Sequence, residues 1–271
     1  MKRSIKKQRN QPRGIQHRAL LAGVLFSLFA VLAVEAATPN KRSSWMEEGG
    51  AVLMQHPDGL SALGLQAFTQ NAAAAQWTDV PENAGEWKAV AMDGNRILFF
   101  YKAGSELAVC TLDENGAPVE WLPINRRIRR YTPVALEGNR ILIQRGSRGK
   151  LGEIQFNDEG RIVSEKLLWE KSKGWAVRGI DANRIILEHT KTGDVAIWAA
   201  NPKVPLFRPY HSFTLTPGWS VRDFAGDFVL IQQGNAGAVK LVELGDGYEA
   251  GRQTELTSDN QGWCAVALAK K

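Results

Sequence analysis

The sequence predicts an all-β fold: a five-bladed β-propeller of 44-residue, four-stranded repeats, with its ring closed by the C-terminal strand. Three observations carry that prediction. The segments EWKAVAMDGNRILFF, RYTPVALEGNRILIQ, GWAVRGIDANRIILE and GWSVRDFAGDFVLIQ begin 44 residues apart. Each unit has room for four short strands separated by Gly- and Asn-bearing turns. The two ends of the chain are complementary, one lacking a strand that the other has to spare.

Within a unit the first strand runs as in Trp87 to Met92 and ends at an acid-Gly-Asn turn. Gly and Asn tolerate the positive φ of a tight hairpin. The second strand is the RILFF stretch, rich in β-branched and apolar residues. A Gly then turns the chain (Gly104, Gly149, Gly193, Gly237), and a third strand follows, as in Glu106 to Leu112. After a polar turn, DENG or NDEG, a weaker fourth strand carries Trp121 or Trp169. Solenoids of this period are helical, and no sustained helical period is present after the leader. A β-sandwich does not require such a repeat.

The blade count comes from the two ends. Val52 lies 44 residues before Arg96, inside a second strand, Ala51 to Gln55, and Trp77 lies 44 before Trp121. The stretch RSSWMEEG, where the first strand of that unit belongs, is polar and does not alternate. At the other end GWCAVAL is a first strand with nothing behind it except Ala269, Lys270 and Lys271. Joining surplus to deficit gives five complete blades and leaves no open sheet edge between the ends.

Residues 1–36 read as a signal peptide, 37–48 as a linker and 49–271 as the propeller. A basic stretch from Lys2 to Arg18 precedes the uncharged run Ala19 to Val34, and Val34-Glu35-Ala36 offers small residues at both positions a signal peptidase reads. An exported protein, periplasmic or extracellular, is therefore expected, with no membrane span after cleavage; an uncleaved N-terminal anchor is the alternative. No Cys sits near the cleavage site. The leader also accounts for the net charge of +6, since residues 37–271 hold 27 basic and 27 acidic side chains. That balance argues against nucleic acid as a partner. The one basic cluster, Arg126, Arg127, Arg129 and Arg130, reads as a solvated loop between strands. Cys110 and Cys264 fall on strands of different rank in the repeat and are expected to stay unpaired.

The segments opening with Gly-Trp resemble the units of tachylectin-like five-bladed lectin propellers, where a Gly-Trp opens each blade and a Gly turn precedes the third strand. GWAVRGIDANRIILEHTKTGDVAIW, residues 174–198, also resembles FG-GAP-type propeller repeats. The first resemblance implies sugar binding. The second implies calcium only where the turn carries several Asp; MDGN, LEGN, IDAN and FAGD carry one acid each, too few for a cation that takes six to eight oxygens.

Two sets of repeated positions are candidate functional residues. Trp87, Tyr131, Trp175, Trp219 and Trp263 share one position and read as packing between blades, because every blade must solve the same packing problem. Late in the second strand, His56, Phe100, Gln144, Glu188 and Gln232 share another, followed by Tyr101, Arg145, His189 and Gln233. These change from blade to blade on a fixed scaffold, as a solvated rim or a set of ligand contacts does, and they are the candidate ligand-binding residues. The turn pairs Asp93–Arg96, Glu137–Arg140 and Asp181–Arg184 come and go together, being replaced by Ala225 and Phe228 in one unit and by Gly49 and Val52 in another. That co-occurrence reads as an ion pair across each hairpin.

No catalytic constellation, metal spacing or phosphate-cradling glycine motif is present in the sequence, so no cofactor and no enzymatic activity are expected. The function this supports is an exported, non-catalytic binding propeller, lectin-like, for carbohydrate or another cell-surface ligand such as a polysaccharide. The alternative is a scaffold for an exported protein partner, without a small ligand.

Overall fold

The computed structural model describes residues 49–56, 63–69, 74–80, 87–113, 115–146, 149–182, 184–199, 210–235, 237–257 and 262–270. All lie within one unit, Ser43–Lys271; the leader and its cleavage site lie outside the described residues. Blade one contains β1 (Gly49–Gln55), β2 (Leu63–Thr69) and β3 (Ala74–Val80). Blade two is β4 (Trp87–Asp93), β5 (Arg96–Tyr101), β6 (Glu106–Leu112) and β7 (Pro118–Ile124). Blade three is β8 (Thr132–Glu137), β9 (Arg140–Gln144), β10 (Leu151–Phe156) and β11 (Ile162–Trp169). Blade four is β12 (Trp175–Asp181), β13 (Arg184–His189), β14 (Asp194–Ala199) and β15 (Tyr210–Thr214). Blade five is β16 (Trp219–Ala225), β17 (Phe228–Gln233), β18 (Val239–Leu244) and β19 (Ala250–Thr257), and the chain ends in β20 (Cys264–Lys270).

These strands form five four-stranded antiparallel sheets, and β20 supplies the missing strand of blade one, in the order β20-β1-β2-β3. The expected five-bladed ring, closed by the C-terminal strand, is thus observed. The inner strands pack in the cycle β4, β8, β12, β16, β20 and back to β4. Five apolar cores follow, one at each blade interface. Leu53, Leu65, Ile97 and Phe99 lie between blades one and two. Leu98, Ile141 and Phe156 lie between two and three, and Leu142, Leu187 and Ile185 between three and four. Ile197, Phe224 and Val229 fill the fourth interface, and Val52, Leu230 and Leu268 the fifth. Burial runs from the middle strands outward: β6 is buried at most positions, whereas β7 and β11 alternate or face solvent.

Chain direction fixes two faces. Inner strands begin on one face, here the entry face, which also receives the turns after second strands and the connections between blades. The hairpins after inner strands lie on the opposite face. At the hairpin turns Gly94, Gly138 and Gly226 have φ of 55°, 52° and 57°, and Ala182 holds the same conformation at 53°. On the entry face Gly174, Gly218 and Gly262, each just before the Trp, have φ of 99°, 90° and 92°. The position before the aromatic ring thus takes a positive φ, which Gly meets without strain and Arg130, at 68°, meets before Tyr131.

Every inner strand carries a β-bulge at the same repeat position, leaving Val90, Val134, Arg178, Arg222 and Val266 outside the ladder. An inserted residue resets the alternation of the strand. The simple alternation read from the sequence holds only on either side of it.

The hairpin face is fastened between blades. Asp93 accepts the Gly138 N–H at 2.6 Å, and Asp181 accepts that of Gly226 at 2.7 Å. Arg96 donates to the Gly138 carbonyl and Arg184 to that of Gly226, at 2.9 and 2.8 Å. The expected pairs within a hairpin exist in Arg140–Glu137 at 2.7 Å and Arg184–Asp181 at 2.8 Å. Their further role, gripping the next blade's turn, was not legible from local spacing. Blade five faces β20, which has no following hairpin to grip. There Asp223, where the other inner strands have Ala or Gly, accepts the Leu268 N–H at 2.8 Å.

Asp223 is 6% exposed, and burial pushes its carboxyl up from 3.8 to about 8, against the bonds from Leu268 and Phe224. The folded protein holds the proton more tightly than the unfolded chain, so stability falls as pH rises from about 4 to about 8 and the loss then levels off. Asp223→Asn keeps an acceptor for Leu268 and removes the ionisation. Its melting temperature should exceed that of the parent by about 10 °C or more at pH 9 and converge with it below pH 4. A constant difference across that range in calorimetric scans would contradict this reading.

Candidate functional site

The second-strand position divides into two groups in space. Gln144, Glu188 and Gln232 are 4%, 7% and 0% exposed, so they form no solvated rim. Each reaches the inner strand of the next blade, just before its bulge. Gln144 donates to the Trp175 carbonyl at 2.8 Å and accepts the Val177 N–H at 3.0 Å. Gln232 does the same with the Trp263 carbonyl at 2.9 Å and the Ala265 N–H at 3.0 Å. Glu188 accepts the Val221 N–H at 3.0 Å, and its charge is met by Arg178 at 3.0 Å. Val177, Val221 and Ala265 occupy one repeat position, which in blade three is Pro133. Pro has no N–H to satisfy, and the residue facing that interface from blade two is Phe100, packed into its apolar core. At these four interfaces the chemistry thus tracks whether the next strand presents a donor. The polar atoms of these three side chains are committed to holding blades together.

The adjacent position stays at the surface of the entry face. Tyr101, His189 and Gln233 stand directly opposite Trp87, Trp175 and Trp219 in the ladder. Trp87 and Tyr101 rings lie 5.6 Å apart and Trp175 and His189 5.2 Å apart. His56, expected at the position of Gln144, falls one place further along: Gln55 pairs with Cys264, and His56 meets Trp263 edge-on at 5.5 Å, as His189 meets Trp175. Arg145 is exposed on the same face. The five aromatic residues Trp87, Tyr131, Trp175, Trp219 and Trp263 are half-buried, each packed against the core shared with the preceding blade. Lys240 caps the Trp219 ring at 4.7 Å.

A cavity of about 440 Å³ opens on the entry face of blade four and is lined by Lys171, Lys173, Gly174, His189, Thr190 and Lys191. Its shape depends on Gly174: a Cβ there would sit 2.7 Å from His189 Nε2. His189 Nδ1 is 3.0 Å from Thr192 Oγ1, whose own proton goes to Asp194 at 2.6 Å. The imidazole must then donate from Nδ1, which leaves Nε2 toward the cavity. This order does not activate a nucleophile, because the hydroxyl proton is given to the carboxylate and not to the ring.

A second cavity, about 240 Å³, lies on the ring axis at the hairpin face, among Asp93, Glu137, Asp181, Phe224 and Leu268. Burial pushes the Glu137 carboxyl up, Arg140 opposes it, and Asp181 and Asp93 add to the rise. Among the described residues no cluster of three or more His, Cys, Asp or Glu is arranged to hold a metal ion. Cys110 and Cys264 are both free thiols, and burial raises Cys110 to about 11.

Replacing Gln144 by Leu leaves the Val177 N–H and the Trp175 carbonyl buried without their partner. The cost expected from urea unfolding is about 2–3 kcal/mol, whereas Phe100→Gln recovers nothing because Pro133 offers no donor. Equal stability of Gln144→Leu and the parent would remove the latch from the account of the fold.

No family model matches the chain, and no curated protein matches it significantly. Several solved structures share the general architecture at low identity. A nidogen/laminin complex chain is 10% identical, with 82% of this chain and 98% of that chain covered and a TM-score of 0.46. A putative 6-phosphogluconolactonase from Bacteroides uniformis is 13% identical over 80% and 70%, with a TM-score of 0.38. A catalytically inactive virginiamycin B lyase from Staphylococcus aureus is 12% identical over 82% and 74%, with a TM-score of 0.40.

Proposed function

We propose that this protein is an exported, non-catalytic binding propeller that holds a carbohydrate or another cell-surface ligand on its entry face, in the manner the tachylectin-like resemblance implies. The observation that carries this reading is the blade-four cavity beside the Trp175–His189 pair. It offers the His189 ring and hydrogen-bonding groups together, and a sugar has both apolar faces and hydroxyls. The surface members of the variable set, His56, Tyr101, Arg145, His189 and Gln233, are its contacts, and the repeat presents related clefts whose occupation together adds avidity. Export rests on the N-terminal leader; among the described residues no helix is long and apolar enough to cross a membrane. A scaffold role for an exported partner is the second reading, favoured by Val119, Val163 and Leu167, which are exposed on the outer strands of blades two and three.

His189→Ala should lower retention on a polysaccharide resin without changing thermal unfolding. Trp175→Ala should cost about 3 kcal/mol or more, as the loss of a large packed aromatic does. Normal folding of Trp175→Ala with loss of retention would exchange the roles of the two sets. Pull-down of a protein partner with no glycan retention would favour the scaffold.

A further inference from the structure

We propose that the entry face of blades three and four binds an acidic polysaccharide, one whose sugar units carry carboxylates. This rests on the carbohydrate-binding reading and names the class of sugar. Lys171 and Lys173, on the connection into blade four, stand 44 residues after Arg127 and Arg129, on the connection into blade three. His189, on the turn after the second strand, is likewise the counterpart of Arg145. The repeat therefore sets the same basic pattern on two adjacent blades of one face. In blade five those positions are Leu215, Pro217 and Gln233, and in blade two they are Asn83, Gly85 and Tyr101. A charge pattern confined to neighbouring blades is not a requirement of the ring, since the other blades close it without that pattern.

Composition does not force this clustering, since basic and acidic residues balance over 37–271. Nor is it neutralised locally in blade four. Lys171, Lys173 and Lys191 are exposed, line the cavity and have no ion-pair partner among the described residues. The nearby acids are engaged elsewhere: Glu188 with Arg178, Glu170 with Lys150, and Asp194 with Thr192 and Thr214. In blade three Arg127 pairs with Glu106 only at the exposed surface, at 3.2 Å, where a ligand carboxylate can replace it at little cost. A cavity of about 440 Å³ falls in the range of small-molecule sites. One sugar ring fits against His189, and the chain extends from there over the arginines of the preceding blade. Guanidinium and ammonium groups hold carboxylates by charge-assisted bonds.

The test is titration of the full-length protein with polygalacturonate, with neutral dextran and with a single-stranded oligonucleotide. Polygalacturonate should bind, and the double variant Lys171→Glu, Lys173→Glu should raise its dissociation constant at least about tenfold. A charge-matched control away from the cavity, Arg161→Glu with Arg252→Glu, should change it little. Equal losses in both double variants would reduce the effect to net charge and overturn the proposal. Dextran bound as tightly as polygalacturonate, with no response to Lys171 or Lys173, would overturn the acidic class and leave carbohydrate binding standing. Retention of neither polysaccharide would overturn both. An oligonucleotide bound more tightly than polygalacturonate, and lost in the lysine variant, would reassign the face to nucleic acid.

Discussion

The innermost strand of each blade has a strand partner on one side only. Its other edge presents peptide N–H and carbonyl groups to the interior of the ring, where water is scarce and an unmet donor costs about 1–3 kcal/mol. The bulge in every inner strand sharpens the problem, because it takes a residue out of the ladder that remains. In two interfaces a glutamine of the preceding blade meets the demand with a side-chain amide that donates to one peptide and accepts from another two residues on, as a strand would. Glu188 can only accept, and the charge this brings into the interface is balanced by Arg178, the bulge residue of its own blade's inner strand. Proline at position 133 removes the donor, and an apolar Phe100 suffices. The five apolar cores hold the blades against each other; the latches tie the inner strands of blades four, five and one to the blade before.

The period, the strand count and the closure by β20 were legible because they depend on spacing and on turn residues, which a single sequence displays directly. The latch was not. Gln144 and Val177 lie 33 residues apart, and nothing in either local pattern reports that one answers the other. Position by position, Gln, Glu, Gln and Phe looked like free variation on a surface. Set beside the residue each one faces, Val177, Val221, Ala265 and Pro133, the variation follows the presence of an N–H. The hairpin clamps were half-legible: acid and Arg visibly travel together, but their grip on the next blade's turn appears only once the ring is closed. The basic arc had one visible half, the arginines at 126–130, and its counterpart in lysines became apparent when both were placed on one face.

Dividing the ring into two ends gives it polarity. The hairpin face gathers Asp93, Glu137 and Asp181 around a cavity on the axis, backed by buried Asp223. The entry face gathers lysine, arginine and histidine over blades three and four. Side chains that hold blades together are buried, whereas those one residue further along the second strand lie at the surface, half-buried or exposed, and differ. A binding propeller can in this way vary its ligand contacts while the scaffold beneath them stays fixed.

Amide hydrogen exchange, read by NMR at Val177, Val221 and Ala265, tests the latch most directly. These N–H groups have no strand partner in the described fold and only the side chains of Gln144, Glu188 and Gln232 to protect them. If the latches hold the ring, all three should exchange as slowly as the ladder amides of the second strands, by opening of the whole domain. Fast exchange at these three amides, with the neighbouring ladders still protected, would show that the inner edges are open to water and that the blades are held by apolar packing alone.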